Sequence, residues 1–268
     1  MAFSWPHRGI VALRPPDRRC PTPECNSATR ADVCESCALT RERAQDDARW
    51  AHAETAKRRL LFELGELGLW PWEPAPVFDF SEGAMTGHAD GVVTLDLREV
   101  DDVHRTQLQD QLDEPYRTVL GHFRHEIGHF YQPSLMEGRE DEVRAMFGDE
   151  RADYQASLDR HYAEGPPEGW EQDHVSAYAT MHPWEDWAET FAHFLHIRDL
   201  MQTAAAWRLT DANPDAPVGE LVDRWIELSY ALNSVNRSLG HGDLYPYVLT
   251  PSVIAKLELI DSLVASRR

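Results

Sequence analysis

The sequence has little positive charge. Its 268 residues include 26 Lys and Arg against 46 Asp and Glu, which gives a formal net charge of −20 at pH 7. This balance argues against attraction to nucleic acid or to an anionic membrane surface through bulk electrostatics. We therefore expect neither nucleic acid nor membrane among the partners of this protein. No feature of the sequence indicates an oligomeric state.

Long apolar runs are also missing. No stretch approaches about 18 consecutive apolar residues, the length expected of a membrane-spanning helix. Residues 1–20 contain neither the apolar core nor the cleavage site of a secretory signal. The sequence therefore predicts a soluble, cytoplasmic protein. Its length suits one large domain, or one domain and a small module.

Cysteine is absent outside one short segment, where Cys20 and Cys25 precede the closely spaced pair Cys34 and Cys37. In a cytoplasmic protein, four clustered thiols suit a metal module better than a disulfide framework. Four thiolates can form a closed tetrahedral zinc site, which stabilises a segment too short for its own core. We predict such a structural zinc module over residues 1–39, with the remaining domain over 40–268. The alternative is a degenerate module with reduced, unligated thiols.

The most informative motif is H-E-x-x-H, formed by His125, Glu126 and His129. On a helix the two imidazoles lie one turn apart on the same face, where both can bind one zinc ion. The intervening glutamate can then polarise a water on the metal. An apolar stripe at helical spacing supports a helix here, and Pro133 is predicted to end it. The alternative is an amphipathic helix with two ordinary surface histidines.

A second segment supplies candidates for a third ligand. Pro183 is placed to begin a helix, on which Glu185 and Glu189 lie one turn apart. We predict that Glu185 binds the ion and that Glu189 accepts a hydrogen bond from a zinc-bound histidine, His125. The two glutamates could have the reverse roles. The third ligand could also be Asp186, His182 or His193.

Tyr178 precedes Glu185 by seven residues. A phenol near the open position of a zinc site could donate a hydrogen bond to the oxyanion of a tetrahedral intermediate. The sequence therefore makes Tyr178 a candidate catalytic residue. The alternative is a tyrosine packed in the core.

Hydrophobic periodicity predicts an α+β, mostly helical fold with one small sheet. The second predicted strand could be a sheet edge that binds an extended peptide, or it could be purely structural. Tyr154 is predicted to face inward from a charged helix. The predicted helices span residues 40–67, 137–160, 218–234 and 252–264, and the predicted strands span 77–80 and 92–97, joined by a turn-rich link.

At these residues the chain resembles the zinc-binding metallopeptidase family of bacteria. The resemblance is specific at residues 121–131, which hold the H-E-x-x-H motif, and at 183–196. It runs from about Cys20 to the end of the chain and includes residues 86–91 and 244–247. The four-cysteine segment also fits this family, although its first cysteine pair is spaced more widely than is usual there.

The arrangement of Tyr178, Glu185 and Glu189 is also similar to that of lethal-factor-type zincins. That resemblance implies that the first glutamate binds zinc, the second braces a histidine ligand, and the tyrosine assists the transition state. The implied fold is a zincin-like metallopeptidase domain behind a zinc-ribbon-like module. The implied cofactors are one catalytic zinc ion and a second, structural one.

The sequence therefore predicts hydrolysis of peptide bonds in a peptide or protein substrate, with a zinc-bound water activated by Glu126. Two further classes stay open. One is a non-catalytic zinc-bearing module with a zincin fold that recruits a protein partner. The second is a protease that acts on proteins bound to DNA, which the net charge of −20 disfavours.

Overall fold

The computed structural model describes residues 1–41, 48–71, 74–101 and 118–267. Helices predominate in these residues, and the strands form three small sheets. This confirms the predicted α+β, mostly helical class. The chain divides into two compact units, Met1–Phe123 and Arg124–Arg268. The predicted domain boundary after residue 39 stays a prediction. None of the helices in the described ranges is long and apolar enough to cross a membrane.

The first unit combines short strands with one long helix. Two antiparallel pairs, β1 with β2 and β3 with β4, come before the helices, and a three-stranded sheet follows them. Its elements are β1 Ala2–Ser4, β2 Gly9–Val11, β3 Arg18–Arg19, β4 Ala28–Thr29, α1 Glu35–Ala38, α2 Ala48–Glu66, β5 Val77–Ser81, β6 Gly87–Ala89 and β7 Val92–Asp96.

The three-stranded sheet has the order β5-β7-β6. The central strand β7 is parallel to β5 and antiparallel to β6. The possibility that this second predicted strand is a free edge is therefore wrong, because its main chain pairs on both sides. The strand β6 was not predicted, since its three residues contain a glycine and show no alternation of apolar and polar side chains.

The helix α2 buries the apolar side that the sequence predicts, including Trp50, Leu60 and Leu64. It is shorter at its beginning than predicted. Thr40 is not helical but forms a parallel bridge with Phe78, and the predicted helical residues 42–47 lie outside the described ranges.

The second unit is helical. Its long helix α6 packs against α7 and α8, and the two C-terminal helices confirm their prediction. Thr250 caps α8 by accepting a hydrogen bond from the backbone N–H of Val253 at 3.3 Å. The helices are α3 Val119–Leu135 (which begins in the first unit), α4 Glu140–Phe147, α5 Tyr154–Glu164, α6 Pro183–Ala206, α7 Val218–Ser238 and α8 Pro251–Ala265, with short 3-10 turns at Trp170–Gln172 and Tyr178–Thr180.

Two predictions for this unit are wrong in detail. Pro133 lies inside the last turn of α3 and does not end it, because a proline near a helix end removes only one backbone donor. The stretch predicted as one helix over 137–160 is two helices. Gly148 separates them with a φ of +96°, which favours glycine. Tyr154 is 40% exposed and is therefore not a core residue.

A buried ion pair lies in the first unit. Lys57 Nζ is 2.8 Å from Glu54 Oε1, and both side chains are fully buried. The hydroxyl of Thr40 contacts both of them. Burial lowers the pKa of Lys57, and the charge of Glu54 opposes that shift. The charge of Lys57 is therefore stabilised by Glu54, and the charge of Glu54 is stabilised by Lys57.

Replacing Lys57 by Met should destabilise the protein, because buried Glu54 would lose its nearer cation at 2.8 Å and keep only Arg58, whose Nη1 lies 3.7 Å from Oε2. Breaking a buried pair in this way costs about 3–5 kcal/mol. Urea denaturation should show this loss for Lys57→Met. Arg30→Met is a matched control, since Arg30 pairs with Asp17 while its side chain is 73% exposed, and exposed pairs contribute at most about 1 kcal/mol. Equal midpoints for the two variants would contradict the prediction.

Candidate metal centre

The helix α3 places His125 and His129 on one face, one turn apart. Their Nε2 atoms are 3.1 Å from each other, and their ring centroids are 4.8 Å apart. Glu126 lies next to them in the sequence and is buried. Two imidazole nitrogens that face the same point provide two ligand atoms for one cation.

The helix α6 brings two carboxylates to this pair. His182 caps the helix by accepting a hydrogen bond from the backbone N–H of Trp184 at 3.1 Å. Glu185 Oε2 lies 3.0 Å from His125 Nε2 and 3.4 Å from His129 Nε2. Glu189 Oε1 lies 2.6 Å from His125 Nδ1. Glu185 therefore faces the point that both histidines face, and Glu189 contacts the other side of His125.

A glycine between the two histidines permits this approach. A Cβ atom on Gly128 would lie 3.1 Å from Ala188 Cα and 3.2 Å from Phe191 Cβ. The indole N–H of Trp187 donates to the carbonyl oxygen of Gly128 at 3.0 Å. Sequence reasoning missed this residue. Its only signal was a small residue within the helical motif.

The donor atoms fit a zinc ion. Ligands about 2.0–2.1 Å from a tetrahedral zinc are separated from one another by about 3.3 Å. The three separations among His125 Nε2, His129 Nε2 and Glu185 Oε2 are 3.0, 3.1 and 3.4 Å. Two imidazoles and one carboxylate are also a known donor set of catalytic zinc sites, which keep their fourth position open. These three residues can therefore hold zinc.

The electrostatics of the site favour positive charge at its centre. Burial opposes a charge on His125, but hydrogen bonds with Glu185 and Glu189 outweigh it and raise the pKa of His125 well above its ordinary value. Burial likewise opposes ionisation of Glu185, yet its contacts with His125 and His129 hold the pKa of that carboxyl well below its usual range. A divalent cation between these groups would supply the charge.

The second oxygen of each carboxylate has a partner of its own. The hydroxyl of Tyr154 donates to Glu185 Oε1 at 3.1 Å. The hydroxyl of Ser176 donates to Glu189 Oε2 at 2.7 Å and accepts from the backbone N–H of Ala179 at 3.1 Å. Sequence reasoning missed both roles, because neither residue lies at a recognisable spacing from its glutamate.

Tyr178 also lies at the site. It begins the short turn Tyr178–Thr180, and its ring centroid is 6.1 Å from that of His125. Burial, followed by the charge of Glu185, raises the pKa of its phenol well above the usual range. The hydroxyl is therefore protonated at neutral pH, and it contacts the Tyr154 hydroxyl. Its catalytic role stays a prediction.

The remaining ligand candidates make different contacts. Asp186 pairs with Lys256 at 2.6 Å. His182 uses its second ring nitrogen to donate to the carbonyl oxygen of Ala152 at 3.1 Å. His193 is hydrogen bonded to the Tyr245 hydroxyl at 2.7 Å.

The four cysteines form a second cluster in the first unit. All of them are buried and free, and their sulfur atoms lie within 4.8 Å of one another. Cys25 Sγ is 3.7 Å from Cys34 Sγ and 3.8 Å from Cys37 Sγ. Thiolates about 2.3 Å from a tetrahedral zinc are separated by about 3.8 Å. Cys20, Cys25, Cys34 and Cys37 therefore fit a closed zinc site.

A comparison with known proteins finds a match to one protein family. A model for the family described as "Putative zinc-binding metallo-peptidase" matches residues 46–263. This range contains the histidines and glutamates of the candidate site, and the four cysteines lie before it. Proteins described as uncharacterized from Mycobacterium bovis and two strains of Mycobacterium tuberculosis are similar to this chain. Each is 48% identical over 271 residues, which cover 90% of this chain and 80% of the relative. No solved structure matches.

The two glutamates should differ in their effect on zinc binding. Glu185→Ala removes a carboxylate that faces both imidazoles, so the His/Glu site should be largely empty after mild chelation. Glu189→Ala removes only the hydrogen-bond partner of His125 and should weaken zinc binding by roughly 10–100-fold. Zinc content and competition with a chromophoric chelator measure both effects. A larger loss in Glu189→Ala than in Glu185→Ala would show that the roles are reversed.

Proposed function

The chain belongs to the family described as "Putative zinc-binding metallo-peptidase", and from this premise we propose that it is a zinc-dependent peptidase. The observation that carries the proposal is the triangle of His125 Nε2, His129 Nε2 and Glu185 Oε2, with separations of 3.0–3.4 Å. The buried carboxylate of Glu126 is adjacent to His125 in the sequence. The substrate is a peptide or a protein.

His125, His129 and Glu185 would hold the ion. Zinc at this point supplies Lewis acidity, which polarises a carbonyl group and lowers the pKa of a bound water toward about 7. Glu189 fixes the tautomer of His125, because its carboxylate accepts the Nδ1–H hydrogen bond at 2.6 Å. Nε2 of His125 would then carry the lone pair, on the side of the ring that lies 3.0 Å from Glu185 Oε2 and 3.1 Å from His129 Nε2.

Glu126 is the general base in this proposal. It takes a proton from the attacking water and returns it to the nitrogen of the leaving amine. Its position supports this role, since it lies between the two histidines in the sequence and its side chain is buried. A zinc site with only a structural role would need no carboxylate here.

Tyr178 would stabilise the developing oxyanion by donating its hydroxyl proton in a hydrogen bond. The ring lies beside His125, and the raised pKa, caused mainly by burial, keeps the donor protonated.

The four cysteines would hold a second zinc ion with a structural role. Their site is closed by four protein ligands, which leaves no position for a substrate. The buried Glu54, whose Oε2 is 3.7 Å from Cys37 Sγ, and its partner Lys57 link this cluster to α2.

Turnover tests the proposed function directly. Glu126→Gln should retain zinc and fold while cleavage of a peptide library falls by at least about 10²-fold, the usual contribution of a general acid–base group. Glu220→Gln, at an exposed position of α7, is the matched control and should cleave like the wild type. Near-normal turnover in a zinc-loaded Glu126→Gln protein would remove Glu126 from the mechanism. A zinc-loaded wild type that cleaves no peptide would favour the non-catalytic interaction module.

Metal stoichiometry tests the two sites together. Wild type should contain two zinc ions per chain, and Cys34→Ser should contain about one. Brief chelation should remove the ion of the open site first and abolish turnover, because a site closed by thiolates resists chelation. Added zinc should restore turnover. One zinc ion in both proteins would show that the cysteines hold none.

A further inference from the structure

The two oxygens of Glu185 have different environments. Oε2 faces both imidazoles, at 3.0 Å from His125 and 3.4 Å from His129. Oε1 accepts the hydrogen bond from Tyr154 at 3.1 Å. A carboxylate with two unengaged oxygens can rotate and bind a cation through one oxygen or both. Here one oxygen is already held by a donor from another helix.

The phenol of Tyr154 is held by local structure. Tyr154 is the first residue of α5, and Asp153 caps this helix by accepting a hydrogen bond from the backbone N–H of Ala156 at 3.0 Å. The ring packs against His182, with centroids 5.3 Å apart. The hydroxyl donates to Glu185 Oε1 at 3.1 Å.

We propose that Tyr154 is a positioning residue that restricts Glu185 to one-oxygen binding of the metal and thereby keeps a coordination position open for water. This inference rests on the proposed metal site. A hydrogen bond to an ionised carboxylate is stronger than one between neutral groups, so rotation of Oε1 toward the ion would lose a favourable contact. A catalytic zinc site keeps a position open for water, and binding through one oxygen of Glu185 leaves that position free.

Ser176 supplies an internal parallel. It donates to the outer oxygen of Glu189 at 2.7 Å, while the inner oxygen of that carboxylate contacts His125. Both carboxylates of the site thus present one oxygen inward and have the other engaged by a hydroxyl. The difference is that only the carboxylate of Glu185 faces the ion, so only Tyr154 governs how many oxygens bind.

The test uses Tyr154→Phe, which removes one hydroxyl from a side chain that is 40% exposed and creates no core cavity. The matched control is Tyr230→Phe, the same change at a tyrosine that is 69% exposed on α7. The His/Glu site is emptied by brief chelation and refilled with Co²⁺, whose visible spectrum depends on its coordination geometry. The spectrum of His125→Ala, treated in the same way, is subtracted to remove any contribution from the cysteines.

Tyr154→Phe should change the cobalt spectrum toward a higher coordination number and should change zinc affinity by about 10–100-fold. Its kcat for peptide cleavage should fall, with a smaller change in KM, and Tyr230→Phe should match the wild type in every measurement.

An unchanged cobalt spectrum in Tyr154→Phe, in a protein whose wild type binds metal at this site, would overturn the role of Tyr154 alone. A wild type that binds no metal through His125 would overturn the metal site and this inference with it. A wild type that binds metal but cleaves nothing would reject the peptidase proposal, and the cobalt spectra would still decide the role of Tyr154.

Discussion

The candidate site depends on the close approach of α3 and α6 at Gly128. A Cβ atom there would come within 3.1 Å of the backbone of Ala188, so α6 would have to move away by a few tenths of an ångström beside any larger residue. The fully buried rings of Trp187 and Phe191 fill the space around this contact. In this arrangement the ligand atoms of the two helices meet within 3.0–3.4 Å. The positions of Glu185 and Glu189 beside the histidines therefore depend in part on a residue that has no side chain.

A second constraint is charge. The sequence contains only two lysines, Lys57 and Lys256, and both are buried beside carboxylates. Lys57 pairs with Glu54, whose other oxygen is 3.7 Å from Cys37 Sγ. Lys256 pairs with Asp186, the neighbour of Glu185 in the sequence. Each lysine thus compensates an acidic group next to a cluster of candidate metal ligands, in a chain whose surface cations are arginines. These carboxylates can be buried away from water because each of them forms an ion pair with a lysine.

Local patterns predicted much of what the structure contains. Helical spacing predicted that His125 and His129 share a face of α3 and that Glu185 and Glu189 lie one turn apart on α6. These inferences concern residues one turn apart on one helix, where geometry follows from the sequence. The position of Pro183 predicted the beginning of α6, because proline is favoured in the first turn of a helix.

Contacts between elements were not predictable in this way. Tyr154 lies 31 positions before Glu185, its hydrogen-bond partner, and was interpreted as a core residue because an aromatic side chain on a helix is usually packed. Ser176 has no distinguishing spacing from Glu189. The strand β6 forms because β7 offers it a pairing partner and not because of its own composition. Such features depend on which elements come together in three dimensions.

The burial of both lysines gives the protein a chemical property of its own. A reagent that acylates amines reacts with a side-chain amine only after water can reach it, and each Nζ atom here is enclosed with a carboxylate. Lys57 belongs to the first unit and Lys256 to the second. Acylation of each lysine therefore follows the opening of the unit that contains it. The two rates, separated by peptide mass, would record the opening of each unit.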